Sequence, residues 1–159
     1  MKDYERSTMN HGQGALNNMR RTMKDEQRIT DERGNKSLFR FRRWPVYMAA
    51  KSFRKKMRQV AKDLPESERY LLRDQMSRAA DSICLNIAEG SNRLSDIEFS
   101  KYLNTSETSL EEVVCCLDLI LDDGHITEAD FEGYLREAEE LGKQLIAFGR
   151  KVRKQGIRL

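Results

Sequence analysis

"RAADSICLNIAEGSNR", residues 78–93, has the pattern of a helix with two chemically different faces. Ala79, Ile83 and Ile87 recur at steps of four and lie on one apolar face. The adjacent face is polar and extends one turn back; its members are Gln75, Arg78, Ser82, Asn86 and Glu89. Serine and asparagine are mediocre helix formers, so their repetition beside a core face indicates close approach of another helix. A buried polar group without a partner costs about 1–3 kcal/mol, so we expect this polar seam to have fixed hydrogen-bonding partners.

The same helical rhythm runs through four segments of the chain. Their apolar residues alternate at steps of three and four, a seven-residue repeat that packs helices at shallow crossing angles. The positions are Val46, Ala50, Phe53, Met57, Val60 and Leu64; Leu72, Met76, Ala79, Ile83 and Ile87; Phe99, Leu103, Ser106, Leu110, Val113, Leu117 and Ile120; and Tyr134, Ala138, Leu141, Leu145, Phe148 and Val152. No segment alternates apolar and polar residues with period two, so we predict no strands.

Turn and capping residues separate the segments. Pro65 can end the first helix and stand at the start of the second. Gly90 is expected to take the left-handed conformation that closes the second helix. Ser95 and Glu98 have the spacing of a capping box, which predicts the start of the third helix.

The last turn is DDGHIT, residues 122–127, in which Thr127 can cap the fourth helix with Asp130 in the reciprocal position. Short loops make sequential helices antiparallel neighbours. The sequence therefore predicts an all-α protein, an antiparallel up-down-up-down four-helix bundle over residues 38–155. Residues 1–37 are polar and lack an apolar period, which predicts a disordered N-terminal arm, and residues 156–159 form a basic tail.

Composition and motifs narrow the function classes. No stretch approaches 18 apolar residues and the N-terminus lacks the apolar core of a signal peptide, so we expect a cytoplasmic protein without membrane contact. Cys84, Cys115 and Cys116 lie in apolar helical stretches without a CxxC pair, and we predict that they are small buried side chains. No phosphate-binding glycine loop, nucleophile elbow or metal-ligand spacing is present, so we expect no enzyme activity, cofactor or metal.

Charge is distributed unevenly, although the net charge is only +3. Residues 40–62 and 150–158 hold basic residues and no acid, whereas the third helix is acidic. In an up-down bundle the start of the first helix and the end of the fourth share a pole, where basic groups can neutralise nucleic-acid phosphates. The candidate residues are Arg40, Arg42, Arg43, Lys51, Arg54, Lys55, Arg58, Arg150, Lys151, Arg153 and Lys154. Alternatively, they pair with the acids of the third helix in the same or a neighbouring subunit, or keep the protein soluble.

Two stretches resemble the four-helix bundle proteins encoded within intervening sequences of 23S ribosomal RNA genes, the S23 family. They are LPESERYLLRDQMSRAADSICLNIAEGSNR, residues 64–93, and SDIEFSKYLNTSETSLEE, residues 95–112. The Asn-Ile-Ala-Glu-Gly run in the first is the most specific element, and the resemblance covers about residues 44–150. The sequence departs from the family pattern at Leu64, where Phe is usual, at Tyr47, where Trp is usual, and at Thr108, where Gly is common.

The resemblance implies a four-helix bundle that assembles as a homo-oligomer, a homopentamer in this family, with an RNA- or ribosome-associated role. A structurally similar bundle is the accessory variability determinant of diversity-generating retroelements, which binds a reverse transcriptase and nucleic acid. Two functions therefore stay open. One is a non-enzymatic oligomer that binds RNA or a ribonucleoprotein through the basic pole, and the other is an accessory scaffold for a protein such as a reverse transcriptase.

Subunit contact is also predicted from extra apolar residues on the third helix, namely Tyr102, Val114, Cys116 and Leu121.

The polar seam also has two interpretations, a structural contact and a recognition site. As a structural contact it fixes the register of the helices and the angle between subunits. Its partners are then expected on the adjoining subunit or on the third helix, where the family resemblance favours Glu112. Asn86 is expected to bond the backbone of the following turn, and Arg78 is expected to pair with a buried acid.

Overall fold

The described part of the chain is entirely helical. A computed structural model describes residues 38–155, without the side chains of residues 68–70 and 155. Its α-helices are α1 (Pro45–Asp63), α2 (Asp74–Gly90), α3 (Asp96–Asp122) and α4 (Glu128–Gln155). A 3-10 helix, Arg40–Arg43, precedes α1, and a 3-10 helix, Glu66–Glu68, followed by a π-helix, Arg69–Arg73, precedes α2. The α-helical part of the second segment therefore begins at Asp74 and not at Pro65. The predicted arm, residues 1–37, and tail, residues 156–159, lie outside the described residues.

The four helices form the predicted up-down-up-down bundle. All of them belong to one compact unit, Phe41–Ile157, whereas Leu38–Arg40 belong to a separate unit of the chain. Within the bundle unit α1 packs on α2, α2 on α3, α3 on α4, and α4 on α1. Hydrogen bonds between α2 and α3 join Gln75 to Glu112 and Glu89 to Tyr102, which shows that these helices run in opposite directions.

The predicted apolar positions form the core. The largest side chains that are fully buried are Met57, Met76, Ile83, Ile87, Leu103, Leu117, Ile120 and Leu145. Leu72, Tyr134 and Phe148 are half-buried at its edge. Because burying a side chain of this size stabilises the fold by about 1.5–3 kcal/mol, the seven-residue repeat accounts for the association of the helices.

Hydroxyl side chains cap α3 and α4 as predicted. The backbone N–H of Glu98 donates to Ser95 Oγ at 3.2 Å, and that of Asp130 donates to Thr127 Oγ1 at 3.2 Å. In each cap the hydroxyl also donates to the carboxylate three residues on, at 3.2 Å and 2.6 Å. Each cap satisfies a backbone donor that the helix leaves unpaired.

Gly124 closes α3 in a left-handed conformation, with φ of 72°. Its N–H donates to the carbonyl of Leu121 at 2.9 Å, and the N–H of His125 donates to the carbonyl of Ile120 at 3.0 Å. This pair of bonds is the Schellman motif, which ends the helix and turns the chain toward α4.

Gly90 does not take the left-handed conformation predicted for it. It is the last residue of α2, and the chain continues through Ser91 in the right-handed region, with φ of −59°. A Cβ at position 90 would lie 2.7 Å from Cδ2 of Phe99 and 2.7 Å from Cβ of Tyr102. Glycine is therefore required here by the close approach of α3 and not by backbone torsion.

Candidate nucleic-acid interface

Three aromatic rings bring three helix ends together at one pole of the bundle. Trp44 precedes α1, Phe99 lies in the first turn of α3, and Phe148 lies near the end of α4. The ring centroid of Trp44 is 5.0 Å from that of Phe148 and 5.5 Å from that of Phe99, and the latter two are 5.8 Å apart. We call this end of the bundle the Trp44 pole.

Six of the predicted basic residues flank this aromatic cluster. Arg42 and Arg43 immediately precede Trp44, and the other four follow Phe148 in the last turns of α4. All six are exposed: Arg42, Arg43, Arg150, Lys151, Arg153 and Lys154. Arg40 belongs to the separate unit of the chain and is not part of the bundle.

Arg153 differs from its neighbours because it faces an acid of α3. Burial raises the pKa of the Glu107 carboxyl, and the positive charge of Arg153 opposes this rise. Arg153 is thus near enough to an acid of the third helix for their charges to interact, which falls short of the ion pair that the alternative interpretation requires. Arg150, Lys151 and Lys154 are therefore the α4 cations best placed to meet an external anion.

The predicted residues within α1 lie away from the Trp44 pole. These are Lys51, Arg54, Lys55 and Arg58. An α-helix rises 1.5 Å per residue, so Arg58 is about 20 Å along the axis from Pro45. The structure therefore divides the predicted basic set between the pole and the length of α1.

Two arginines of α1 share one carboxylate of α2. Arg54 Nε donates to Asp81 Oδ1 at 2.5 Å, and Arg58 Nη1 donates to Asp81 Oδ2 at 2.6 Å. On the other side of α1, Lys56 pairs with Glu137 of α4. Within the subunit, these three α1 bases therefore pair with acids of α2 and α4.

The polar seam lies between α2 and α3 and is a hydrogen-bonded contact. Three bonds cross from helix to helix: Gln75 to Glu112, Ser109 to Ser82, and Tyr102 to Glu89. The second and third measure 2.8 Å and 3.1 Å. In addition, the buried hydroxyl of Ser106 donates to the carbonyl of Ile83 at 3.2 Å. Glu112 is therefore a partner of the seam, as expected.

Two members of the seam make contacts other than those predicted. Asn86 Nδ2 donates to the carbonyl and hydroxyl oxygens of Ser82, at 2.9 Å and 3.0 Å, one turn earlier in the same helix. It does not bond the following turn. Arg78 donates to Gln75 Oε1 at 2.8 Å and lies 3.6 Å from Asp74, and its side chain is 68% exposed. The acid beside Arg78 is thus exposed and not buried, since the side chain of Asp74 is 55% exposed.

Arg93 is a charged residue of the Trp44 pole that the sequence interpretation missed. Its guanidinium carbon lies 4.4 Å from the centroid of the Tyr102 ring, and its Nη2 bonds Glu89. Because Gly90 lies against Phe99, the turn that carries Arg93 is at the Trp44 pole. Its spacing of four residues from Glu89 is the sequence signal for the ion pair.

The extra apolar residues predicted on α3 are not an exposed surface. Cys116 is buried, and Tyr102, Val114 and Leu121 are half-buried. Large apolar side chains are instead exposed elsewhere, including Leu71, Leu85, Leu94 and Ile97. Leu94 and Ile97, which are 95% and 73% exposed, lie in and just after the α2–α3 turn.

The cysteines do not share one environment. Cys84 and Cys116 are buried as predicted, and burial raises the pKa of each thiol to about 11. Cys115 is exposed, which contradicts the prediction for that residue.

Among residues 38–155, no three His, Cys, Asp or Glu side chains are grouped so that they could hold a metal ion. No helix in the same range is both long enough and apolar enough to cross a bilayer.

Comparison with known proteins gives one family. The model of the 23S rRNA-intervening sequence protein family matches residues 42–147, which include the polar seam and end before Arg150, Lys151, Arg153 and Lys154. A crystal structure of a protein of unknown function from the S23 ribosomal protein family of Bacteroides thetaiotaomicron VPI-5482 is similar, with a TM-score of 0.61 and 25% identity. The alignment covers 65% of this chain and 97% of that chain. No curated protein matches. Because the family model covers more than half of the sequence, the chain belongs to the 23S rRNA-intervening sequence protein family.

Proposed function

We propose that the protein is a non-enzymatic, cytoplasmic RNA-binding protein that contacts RNA or a ribonucleoprotein through the cations of the Trp44 pole. One observation carries this proposal, the 5.0 Å contact between Trp44 and Phe148. That contact supports the proposal, because Arg42 and Arg43 immediately precede Trp44 and the cations at the end of α4 follow Phe148. On this proposal, two basic stretches that are far apart in sequence act as one surface.

The chemistry of this surface suits phosphate groups. Exposed arginine and lysine side chains attract phosphates without reading the base sequence, and arginine can donate two parallel hydrogen bonds to phosphate oxygens. Binding of this kind releases counterions, so its affinity falls steeply as salt rises. The family to which the chain belongs is named for the 23S ribosomal RNA gene, which agrees with an RNA partner.

We also propose that the protein is a homo-oligomer, and the family resemblance favours a homopentamer. Leu94 and Ile97 support self-association, because they are large apolar side chains left in water by a single subunit. Light scattering at micromolar concentration tests the proposal. A particle of 18.6 kDa, the mass of one chain, would contradict it.

RNA binding is tested by removing charge at the pole and, in a matched control, elsewhere. The pole variant is Arg150→Gln/Lys151→Gln/Lys154→Gln, and the control is Lys56→Gln/Arg136→Gln/Lys143→Gln. Both lose three positive charges. We expect the pole variant to bind structured RNA more weakly across sequences, with a slope of log affinity against log salt reduced by about 0.7–0.9 per lost phosphate contact. Equal affinity in the two variants would contradict the proposal.

A second candidate function is that of an accessory scaffold for a protein such as a reverse transcriptase. The exposed Leu94 and Ile97 favour it, because apolar side chains at the same pole as the cations suit a protein surface better than a phosphate backbone. Wild-type protein that binds structured RNA weakly and with a flat salt response would favour this candidate over direct RNA binding.

A further inference from the structure

A second basic site lies at the opposite end of the bundle, where α1 ends and α2 begins. A shallow depression of about 270 Å³ is lined there by Arg58, Ala61, Lys62, Arg73 and Ser77. Arg58 belongs to α1 and Arg73 to the π-helix before α2, so these two cations meet only in the tertiary structure. Arg73 ends the π-helix that precedes α2, and its side chain is only 25% exposed.

The cations of this depression outnumber the carboxylates bonded to them. Arg58 shares Asp81 with Arg54, and Arg73 pairs with Glu66 at 2.9 Å. Three cations line the depression, Arg58, Lys62 and Arg73, and two carboxylates bond them, Asp81 and Glu66, which leaves a net charge of +1 within this group. Two further acids are adjacent to Lys62 and Arg73 in sequence and contact other residues, Asp63 with Gln59 and Asp74 with Arg78. Like charges held close together are unfavourable, so an anion in the depression would be stabilised.

The two arginines that line the depression keep donors for such an anion. Arg58 and Arg73 each use one terminal nitrogen, Nη1, in the carboxylate bond. A guanidinium carries five N–H groups, so several remain on each side chain. The carboxylate bonds also hold the side chains in place, which lowers the entropy lost when a ligand binds. Ser77 adds a hydroxyl to the same wall.

We propose that this depression binds a phosphate monoester, such as the 5′-phosphate of a nucleotide or of an RNA end. A monoester presents three terminal oxygens and about −1.5 to −2 charges at neutral pH to the three cations, whereas a phosphodiester carries one charge. Arginine forks recognise the phosphate oxygens, and Lys62 contributes a mobile point charge. This site does not depend on the Trp44 pole, from which it is separated by the length of α1, about 28 Å.

Titration calorimetry tests the site directly, with inorganic phosphate, adenosine 5′-monophosphate and uncharged adenosine as probes. Lys62→Gln and Arg73→Gln are compared with Lys56→Gln, which removes a cation from the opposite side of α1. We expect both charged probes to bind and adenosine not to bind, with about tenfold weaker binding in the two site variants and unchanged binding in the control. Lys62 is exposed, so its variant decides the outcome if Arg73→Gln does not fold.

A second arm distinguishes a free nucleotide from an RNA end. Fluorescence anisotropy compares 5′-phosphorylated and 5′-hydroxyl RNA of one sequence. A preference for the phosphorylated RNA that Lys62→Gln removes identifies an RNA end, and no preference together with nucleotide binding identifies the free nucleotide. Absence of binding by every phosphorylated probe, or equal binding by Lys62→Gln and Lys56→Gln, overturns the proposal. The pole variant and its RNA affinity leave these results unchanged, so the two proposals fail separately.

Discussion

Ser109 of α3 donates a hydrogen bond of 2.8 Å to the hydroxyl of Ser82 in α2. The Ser82 hydroxyl also accepts a bond from Asn86, and the carbonyl oxygen of Thr105, 2.9 Å from Ser109 Oγ, is a second acceptor for the single proton of the Ser109 hydroxyl. Ser109 is 5% exposed, so the contact lies where the two helices meet. Small hydroxyl side chains thus serve two purposes on this face. They allow α2 and α3 to approach closely, and they supply hydrogen-bonding partners to one another.

Enlarging Ser109 should destabilise the bundle. We expect Ser109→Leu to lower the free energy of unfolding by about 1–3 kcal/mol, because the larger side chain forces the helices apart and leaves the Ser82 hydroxyl with one partner fewer. Thr108→Leu is the matched control, since Thr108 is exposed on the same helix. Urea denaturation measures both, and equal stability would show that the seam is not a tight contact.

Two glycine-to-alanine changes should have opposite signs. Gly90→Ala should cost about 1–3 kcal/mol, because its Cβ would lie 2.7 Å from Phe99 and from Tyr102. Gly133→Ala should stabilise the protein by about 0.5–1 kcal/mol, because nothing lies within 4 Å of its Cβ in the interior of α4. Thermal melting decides. A stabilising Gly90→Ala change would contradict the close approach of α3.

Asp81 should matter more for stability than Arg78, although both are charged residues of α2. Asp81→Asn weakens two ion pairs, with Arg54 and Arg58, and leaves two guanidiniums close together, so we expect a loss of about 1–2 kcal/mol. Arg78→Ala removes an exposed pair within one helix and should change stability by no more than about 0.5 kcal/mol. Chemical denaturation of both variants checks the order, and a larger effect of Arg78→Ala would reverse it.

One of the three thiols should react in the folded protein. Cys115 is exposed, whereas burial shields Cys84 and Cys116 and raises the pKa of each to about 11. At pH 8 only about 0.1% of such a buried thiol is thiolate, the reactive form. Titration with a disulfide reagent should count one fast thiol per chain, and Cys115→Ser should abolish it. Three fast thiols in folded protein would contradict the burial.

The raised thiol pKa values also predict the direction of a pH dependence. In the unfolded chain the Cys84 thiol loses its proton near its ordinary pKa of 9.0, whereas burial in the folded chain raises this pKa to about 11. The stability linked to the protonated thiol is therefore complete below pH 9 and is lost as pH rises toward 11. Melting temperature should fall over this range, with a shallower fall in a Cys84→Ala variant. An identical fall in both would exclude a contribution from this thiol.

Several features of the bundle follow directly from local sequence. The four helical segments, their core positions and the caps at Ser95 and Thr127 were predicted, because periodicity and capping act between residues a few positions apart. Gly90 was placed correctly at the end of α2 but for the wrong reason. Glycine is required at this position because Phe99 and Tyr102 lie against it, and this contact depends on how α3 packs on α2.

The candidate sites were predictable only in part. The convergence of the two basic stretches at one pole follows from the up-down order of the helices. In contrast, the pairing of Arg54 and Arg58 with Asp81, and of Lys56 with Glu137, could not be read from composition. Those contacts depend on which faces of neighbouring helices meet and in what register.

The sequence by itself determined that the chain forms helices, where α3 and α4 begin, and which stripe of each enters the core. The physical reason is that a helix with an apolar stripe repeated every seven residues can remove that stripe from water only by packing it against other helices. Only the tertiary structure decided which charges compensate one another and which remain available to a ligand. Lys62 and Arg73 share a depression because α1 and α2 are antiparallel neighbours, and that arrangement depends on distances between segments rather than on spacing within one.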